Sequence, residues 1–246
     1  TTSSAFIPLL GVMFVIQAFG LFKLNMHLGK PHRFYRGFNN LRHSNLSREI
    51  AGVSGFFAGF SGYVFFSLFD IPLFNTLANG FAGLGVISGL LGLYFMIKIY
   101  RIKARPFWDH WQSGSAFYGN TINLGAMIVG AISLPFLTNS AADVRQAVVT
   151  LGSLMFAGLL LEIVGHIFHG RDMNKQAGEG AASFYEQSTT YGKSWITRNV
   201  LLGTSLVLAG VLVSFDFGTT IALTGWYILA LLVIAAVAIS RSLFFV

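Results

Sequence analysis

Seven long apolar runs, separated by short polar intervals, constrain this chain more than any other feature. They are Ala5–Phe22, Ile50–Phe69, Leu77–Ile97, Ser115–Leu137, Ala147–Phe168, Ile196–Phe215 and Thr219–Phe245. About twenty apolar residues cross a hydrocarbon layer of roughly 30 Å. Lipid offers no hydrogen-bond partner to an open backbone, so each run is predicted to be an α-helix. The expected fold is all-α, a polytopic transmembrane helical bundle with seven spans visible, forming one integral membrane domain over residues 1–246. An ordinary soluble domain carries charge at roughly a quarter of its positions. Here the charged share is 10% and the mean hydropathy is +0.66, which excludes that class.

Small residues suggest how the helices pack. Gly52, Gly55, Gly59 and Gly62 recur at spacings of three and four, so they share one helix face, and Gly85, Gly89 and Gly92 form a similar set. Such stripes let two backbones approach closely. The polar connections alternate in charge. Those after the first, third and fifth runs, together with Arg241, hold 15 of the 16 Lys and Arg residues, leaving Arg145 opposite them with Asp70, Asp143 and Asp216. The positive-inside rule places the basic side in the cytoplasm, and an acidic partner docking there would favour the same distribution. The net charge of +7 is thus a membrane-surface feature and not a sign of nucleic-acid binding. The chain opens TTSSAF, with neither an initiating Met nor a basic n-region, so no signal peptide is recognisable.

The connection at residues 23–49 is the longest and carries six of the basic residues and three of the six histidines, His27, His32 and His43. Phe34, Phe38 and Leu41 recur at four and three residues while Arg33, Arg36 and Arg42 point elsewhere. That pattern predicts a short amphipathic helix in the headgroup region. Ser47 is the expected N-cap of the second span, with Glu49 favouring its positive end.

Ionisable groups inside or at the edge of a span are costly and are functional candidates by default. His27 ends the first span, with Asn25 before it and Lys30 after it. Glu162, His166 and His169 share a helix face near the basic end of the fifth span. Arg241 sits among apolar residues near the last residue. One chemistry for these groups is ligation of a b-type haem, but His166 and His169 lie three residues apart on one helix and cannot sandwich one iron. The remaining candidates, His27 and His110, lie near helix ends. A second chemistry is a quinone site: a His can accept a proton from a quinol and a carboxylate can pass it on, while aromatic residues suit the ring. A transporter would gather polar groups near the bilayer midplane. Only Asn120, Asn123 and Glu162 are set that far in. The chain has no cysteine, so it cannot supply thiolates to an iron–sulfur cluster.

His27-Leu28-Gly29-Lys30-Pro31, followed by Arg33, Arg36 and Leu46-Ser47-Arg48-Glu49-Ile50, resembles the signature of the DmsC family. These are membrane anchor subunits of dimethyl sulfoxide reductase-type molybdoenzymes, including sulfite-oxidising relatives. Tyr100-Arg101, Arg105-Pro106-Phe107-Trp108 and Ser240-Arg241-Ser242-Leu243-Phe244-Phe245 resemble further segments of that family, so the similarity runs over essentially the whole chain. The resemblance implies an anchor without haem that binds menaquinone or ubiquinone. It implies two partners, a four-cluster ferredoxin-like iron–sulfur subunit and a molybdopterin catalytic subunit, which hold the clusters and the molybdopterin. It also implies residence in a prokaryotic cytoplasmic (inner) membrane, with a role for His27 at the quinol site. The expected quinone-binding set is His27, Lys30, Arg33, Arg48, Glu162 and His166. The expected docking set is Arg33, Arg36, Arg42, Arg101 and Arg105, with no metal ligand. Two departures stand out. The family usually has eight helices, and this chain begins at the second, consistent with a start upstream of Thr1. The acidic residue that commonly precedes the last Arg motif is missing, since Ala235 to Ile239 is wholly apolar.

Overall fold

The computed structural model describes residues 6–26, 30–175 and 177–245. His27 therefore lies outside the described residues. The regular structure among them is helical throughout: α1 (Phe6–Met26), α2 (Asn45–Ser67), α3 (Pro72–Tyr100), α4 (Trp111–Ser133), α5 (Ala141–Lys175), α6 (Glu179–Thr189), α7 (Gly192–Ser214) and α8 (Thr219–Phe244). Short 3-10 helices cover Pro31–Phe38 and Leu134–Leu137. All seven predicted spans are present, and each is long and apolar enough to cross a membrane. This is a multi-pass membrane protein.

The described chain divides into two compact units, residues 6–100 and residues 101 onward. In the first, α2 and α3 pack along the two glycine stripes that the sequence singles out. A Cβ added at Gly52 would stand 2.5 Å from Gly92 Cα, and one at Gly59 would stand 2.5 Å from Gly85 Cα. No side chain larger than hydrogen fits there without moving a backbone. Helix α1 rests on α2 through ring contacts of Phe6 with Tyr63 and Phe14 with Phe57, 6.4 and 6.0 Å between centroids.

The start of α2 differs from expectation. Ser44, not Ser47, is the N-cap; its side chain accepts a hydrogen bond from Ser47 N at 3.3 Å, and Ser47 is itself buried. The helix begins at Asn45 because the chain is extended at Ser44 (φ −102°, ψ 120°), which is the conformation a cap needs. The amphipathic stretch before it is a 3-10 helix that ends at Phe38 and departs from helical geometry at Arg33. Leu41 falls in the turn beyond, so the predicted three-residue apolar face is not continuous.

In the second unit a core of Val148, Met155, Leu159, Leu202, Ala209, Trp226, Leu229 and Val233 joins α5, α7 and α8, with α4 against α5. Arg145 closes one end. Its guanidinium donates to the carbonyls of Leu212 (2.8 Å), Phe215 (2.7 Å) and Val213 (2.7 Å), the orphan acceptors of the last turn of α7. At the other end α5 runs on to Lys175, and α6, which hydropathy does not reveal, packs against α5 and α7. At 35 residues α5 is about 52 Å long, well beyond the roughly 30 Å hydrocarbon layer, so it carries its basic end out of the lipid.

Candidate functional site

The expected site residues fall into both units. In the first, a cavity of about 410 Å³ opens between α1, the 3-10 helix and α2. Leu21, Leu24, Phe34, Ile50, Val53 and Phe57 give it apolar walls, and Asn25, Glu49 and Ser54 are its polar groups along α1 and α2. Glu49 is half-buried and projects from the second turn of α2, past the first turn where a carboxylate would meet the positive end. The sequence gives it only a role at the helix's positive end, so its place in the cavity wall is a structural finding. Lys30, Arg33 and Arg48 do not line this cavity. Arg48 turns back on the connection instead: Nε donates to Leu41 O at 2.8 Å, Nη2 to Arg42 O at 2.5 Å, and the guanidinium lies 5.3 Å from the centre of the Phe95 ring. It holds the basic connection closed over α2. Lys30, Arg33, Arg36 and Arg42 are exposed.

The second unit brings Glu162 and His166 together with groups the sequence does not connect to them. Glu162 is fully buried, accepts a hydrogen bond from Ser240 Oγ on α8 at 3.2 Å, and has its Oε1 3.6 Å from His166 Nε2. Glu162 Oε2 is buried with no hydrogen-bond partner among the described residues. The Gln112 side-chain amide on α4 lies 3.2 Å from His166 Nδ1. His169 Nε2 donates to the Phe107 carbonyl at 2.9 Å. Both histidines are thus held inside the α4–α8 unit, and the helix continues past them. His110 caps α4, accepting from Gln112 N at 3.0 Å through Nδ1, and its Nε2 meets Asp172 at 3.2 Å. Arg241 lies over the Phe117 ring, 4.1 Å from its centre. Asn120 and Asn123 are buried on α4 with side-chain atoms lacking a hydrogen-bond partner among the described residues.

Beside this cluster lies a cavity of about 490 Å³ between α5, α6 and α7, with His166, His169 and Arg198 in its wall and Phe184 and Trp195 on its aromatic side. Arg198 reads in the sequence as one more cation of a basic connection, yet it is 4% exposed and belongs to α7. Only its place on a helix facing α5 could have revealed this. Arg101 and Arg105, the remaining docking candidates, form exposed ion pairs with Asp109 and Glu179 at 3.2 and 3.3 Å. Such pairs contribute little to stability and can be exchanged for a partner's carboxylates.

A family model described as DMSO reductase anchor subunit (DmsC) matches residues 5–246. Among curated proteins, the anaerobic dimethyl sulfoxide reductase chain YnfH of Escherichia coli (strain K12) is 26% identical over 121 residues, 49% of this chain and 42% of that relative. The match thus spans less than half the length of that protein. No solved structure matches.

Proposed function

Since this chain belongs to the DmsC family of DMSO reductase anchor subunits, we propose that it anchors a molybdopterin iron–sulfur oxidoreductase to the membrane and binds the quinone or quinol with which that enzyme exchanges electrons. What supports this is the cavity between α1 and α2. Its volume of about 410 Å³ is in the range of small-molecule sites, and its walls are apolar and aromatic with few polar groups. Phe34 and Phe57 suit a flat ring. The Asn25 amide and Ser54 hydroxyl offer hydrogen bonds to its oxygens, and the Glu49 carboxylate can hold a proton. A quinone supplies the two-electron, two-proton chemistry. This chain's share is to desolvate the ring, fix its oxygens and receive or return protons. His27, two residues after Asn25 in the sequence, is the proposed proton-exchanging group, with Lys30 and Arg33 at the surface side of the site.

The exposed Arg33, Arg36 and Arg42 then form the docking surface for a four-cluster ferredoxin-like subunit, with Arg101 and Arg105 as further contacts. That subunit holds the clusters this cysteine-free chain cannot, and it connects in turn to the molybdopterin subunit. The positive-inside distribution supports a cytoplasmic basic face, with the partners on that side. That arrangement favours a complex that oxidises sulfite and feeds the quinone pool. The test uses the assembled complex carrying His27→Ala or Glu49→Gln. Each substitution should weaken binding of a quinol-analogue inhibitor by about tenfold or more, a change of ~1.4 kcal/mol, and slow quinone-linked turnover without loss of subunits. Unchanged affinity and turnover in both would remove the site.

A further inference from the structure

We propose that the cavity between α5, α6 and α7 is a second, separate site for a quinone-class ligand, a neutral ring bearing two carbonyl oxygens or its two-hydroxyl reduced form. This rests on the reading of the chain as a quinone-handling anchor and extends it from one site to two. The cavity, about 490 Å³, has Phe184 and Trp195 on one side to flank a ring.

Its polar wall is built, and the donors and acceptors can be told apart. Arg198 is 4% exposed, yet its hydrogen bonds among the described residues all end on one oxygen, Asn199 Oδ1, from Nε at 3.1 Å and Nη2 at 2.9 Å. A guanidinium has five N–H groups. Nη1 has no hydrogen-bond acceptor and the group no carboxylate within 4.0 Å among the described residues. In neutral His166 the Gln112 amide occupies Nδ1, so Nε2 carries the hydrogen; that atom is buried 3.6 Å from Glu162 Oε1 and faces the carboxylate, not the open cavity. The carbonyl of Phe107 can only accept, so His169 carries its hydrogen on Nε2 and leaves Nδ1 as an acceptor. Gln187 gives its amide N–H to Leu243 O at 2.7 Å and likewise leaves an acceptor oxygen.

A wall with the remaining N–H groups of Arg198 and two acceptors suits a ligand whose oxygens accept when oxidised and both donate and accept when reduced. A phosphodiester, as in a phospholipid headgroup, only accepts. It would leave the His169 and Gln187 lone pairs facing its own, and it would bring negative charge towards Glu162 behind His166. A void of about 20 Å³ bounded by Gln112, His166, His169, Gln187, Arg198 and Ser240 is large enough for one water. Such a water would join the cavity wall to the Glu162–Ser240 pair.

The experiment is an equilibrium titration of the detergent-purified complex with a fluorescent quinol-analogue inhibitor, read as equivalents bound per chain. Two equivalents are expected. His166→Gln or Arg198→Gln should remove one and leave the other at wild-type affinity, and Glu49→Gln should do the converse. Should either polar variant fail to assemble, Trp195→Leu, which leaves the buried polar cluster intact, should weaken the same equivalent. One equivalent that only Glu49→Gln abolishes overturns the second site and leaves the first standing. One equivalent that only His166→Gln abolishes keeps this cavity as a ligand site and removes the α1–α2 assignment. A phospholipid retained in native mass spectra, lost on Arg198→Gln and not displaced by the inhibitor, overturns the ligand class.

Discussion

Gly59→Ala is a direct test of how α2 and α3 are held together. The added Cβ would stand 2.5 Å from Gly85 Cα and 2.8 Å from Phe81 O, both on α3. These are backbone atoms, so no side-chain rotation relieves the clash. Carbon atoms rest at about 3.5–4.0 Å, so the helices must separate by roughly 1–1.5 Å. A radial gap of about 0.5–1 Å already forfeits a quarter to a half of the attraction at each contact. Overpacking of this kind costs about 1–3 kcal/mol, and the better helix propensity of Ala returns up to ~1 kcal/mol. The net expectation is a loss of about 1–2 kcal/mol, or a melting temperature lower by about 2–8 °C in a chain of this size. Gly83→Ala is the control, because its Cβ meets nothing within 4 Å; it should be neutral or slightly stabilising. Gly52→Ala should resemble Gly59→Ala, and the double variant should lose less than the sum, since one rigid shift relieves both clashes. Thermal denaturation of the detergent-solubilised protein measures all four. If Gly52→Ala and Gly59→Ala melt no lower than Gly83→Ala, close packing of this helix pair is not what stabilises it.

Three further sets of substitutions probe other parts of the structure. Arg145→Ala leaves the carbonyls of Leu212, Val213 and Phe215 without their donor; the loss should be roughly 2–3 kcal/mol in the same thermal assay, partly offset by water. Arg145→Lys should recover less than half of it, because one ammonium cannot span three acceptors. Ser44→Ala removes the α2 cap and should cost about 1 kcal/mol, whereas Ser47→Ala should leave the cap intact; equal melting temperatures for wild type and Ser44→Ala would contradict the assigned cap. Reversing Arg33, Arg36 and Arg42 to Glu should release the iron–sulfur partner from membranes, measured by sedimentation, and raising salt should have the same direction of effect on the unaltered complex. Continued retention would count against docking at that surface.

The seven spans were legible because lipid leaves an apolar stretch of that length no other backbone conformation. The small faces of α2 and α3 were legible for a related reason, since stripes of glycine at helical spacing have little other use inside a membrane, whereas their packing against each other is a finding of the structure. Glu162, His166 and His169 could be placed on one face from spacing alone, and they do share it. The same local rules misplaced the cap of α2, because Ser44 and Ser47 are chemically equivalent in sequence and only the extended backbone at Ser44 distinguishes them. Short α6 was missed, since an 11-residue helix outside the lipid has no hydropathy signal.

The sequence by itself determined what each segment is: how many helices cross the lipid, which ends are basic, and which faces are small enough for close packing. These follow from transfer free energies and from a period of 3.6 residues, both properties of a segment taken alone. The tertiary structure decided what each polar residue touches. It showed Arg48 clasping two carbonyls, gave Glu49 a cavity to face, and buried Arg198 beside two histidines. Those outcomes depend on which helix lies against which and at what rotation, and residues as far apart in sequence as Gln112, Glu162 and Ser240 meet only once the helices have packed.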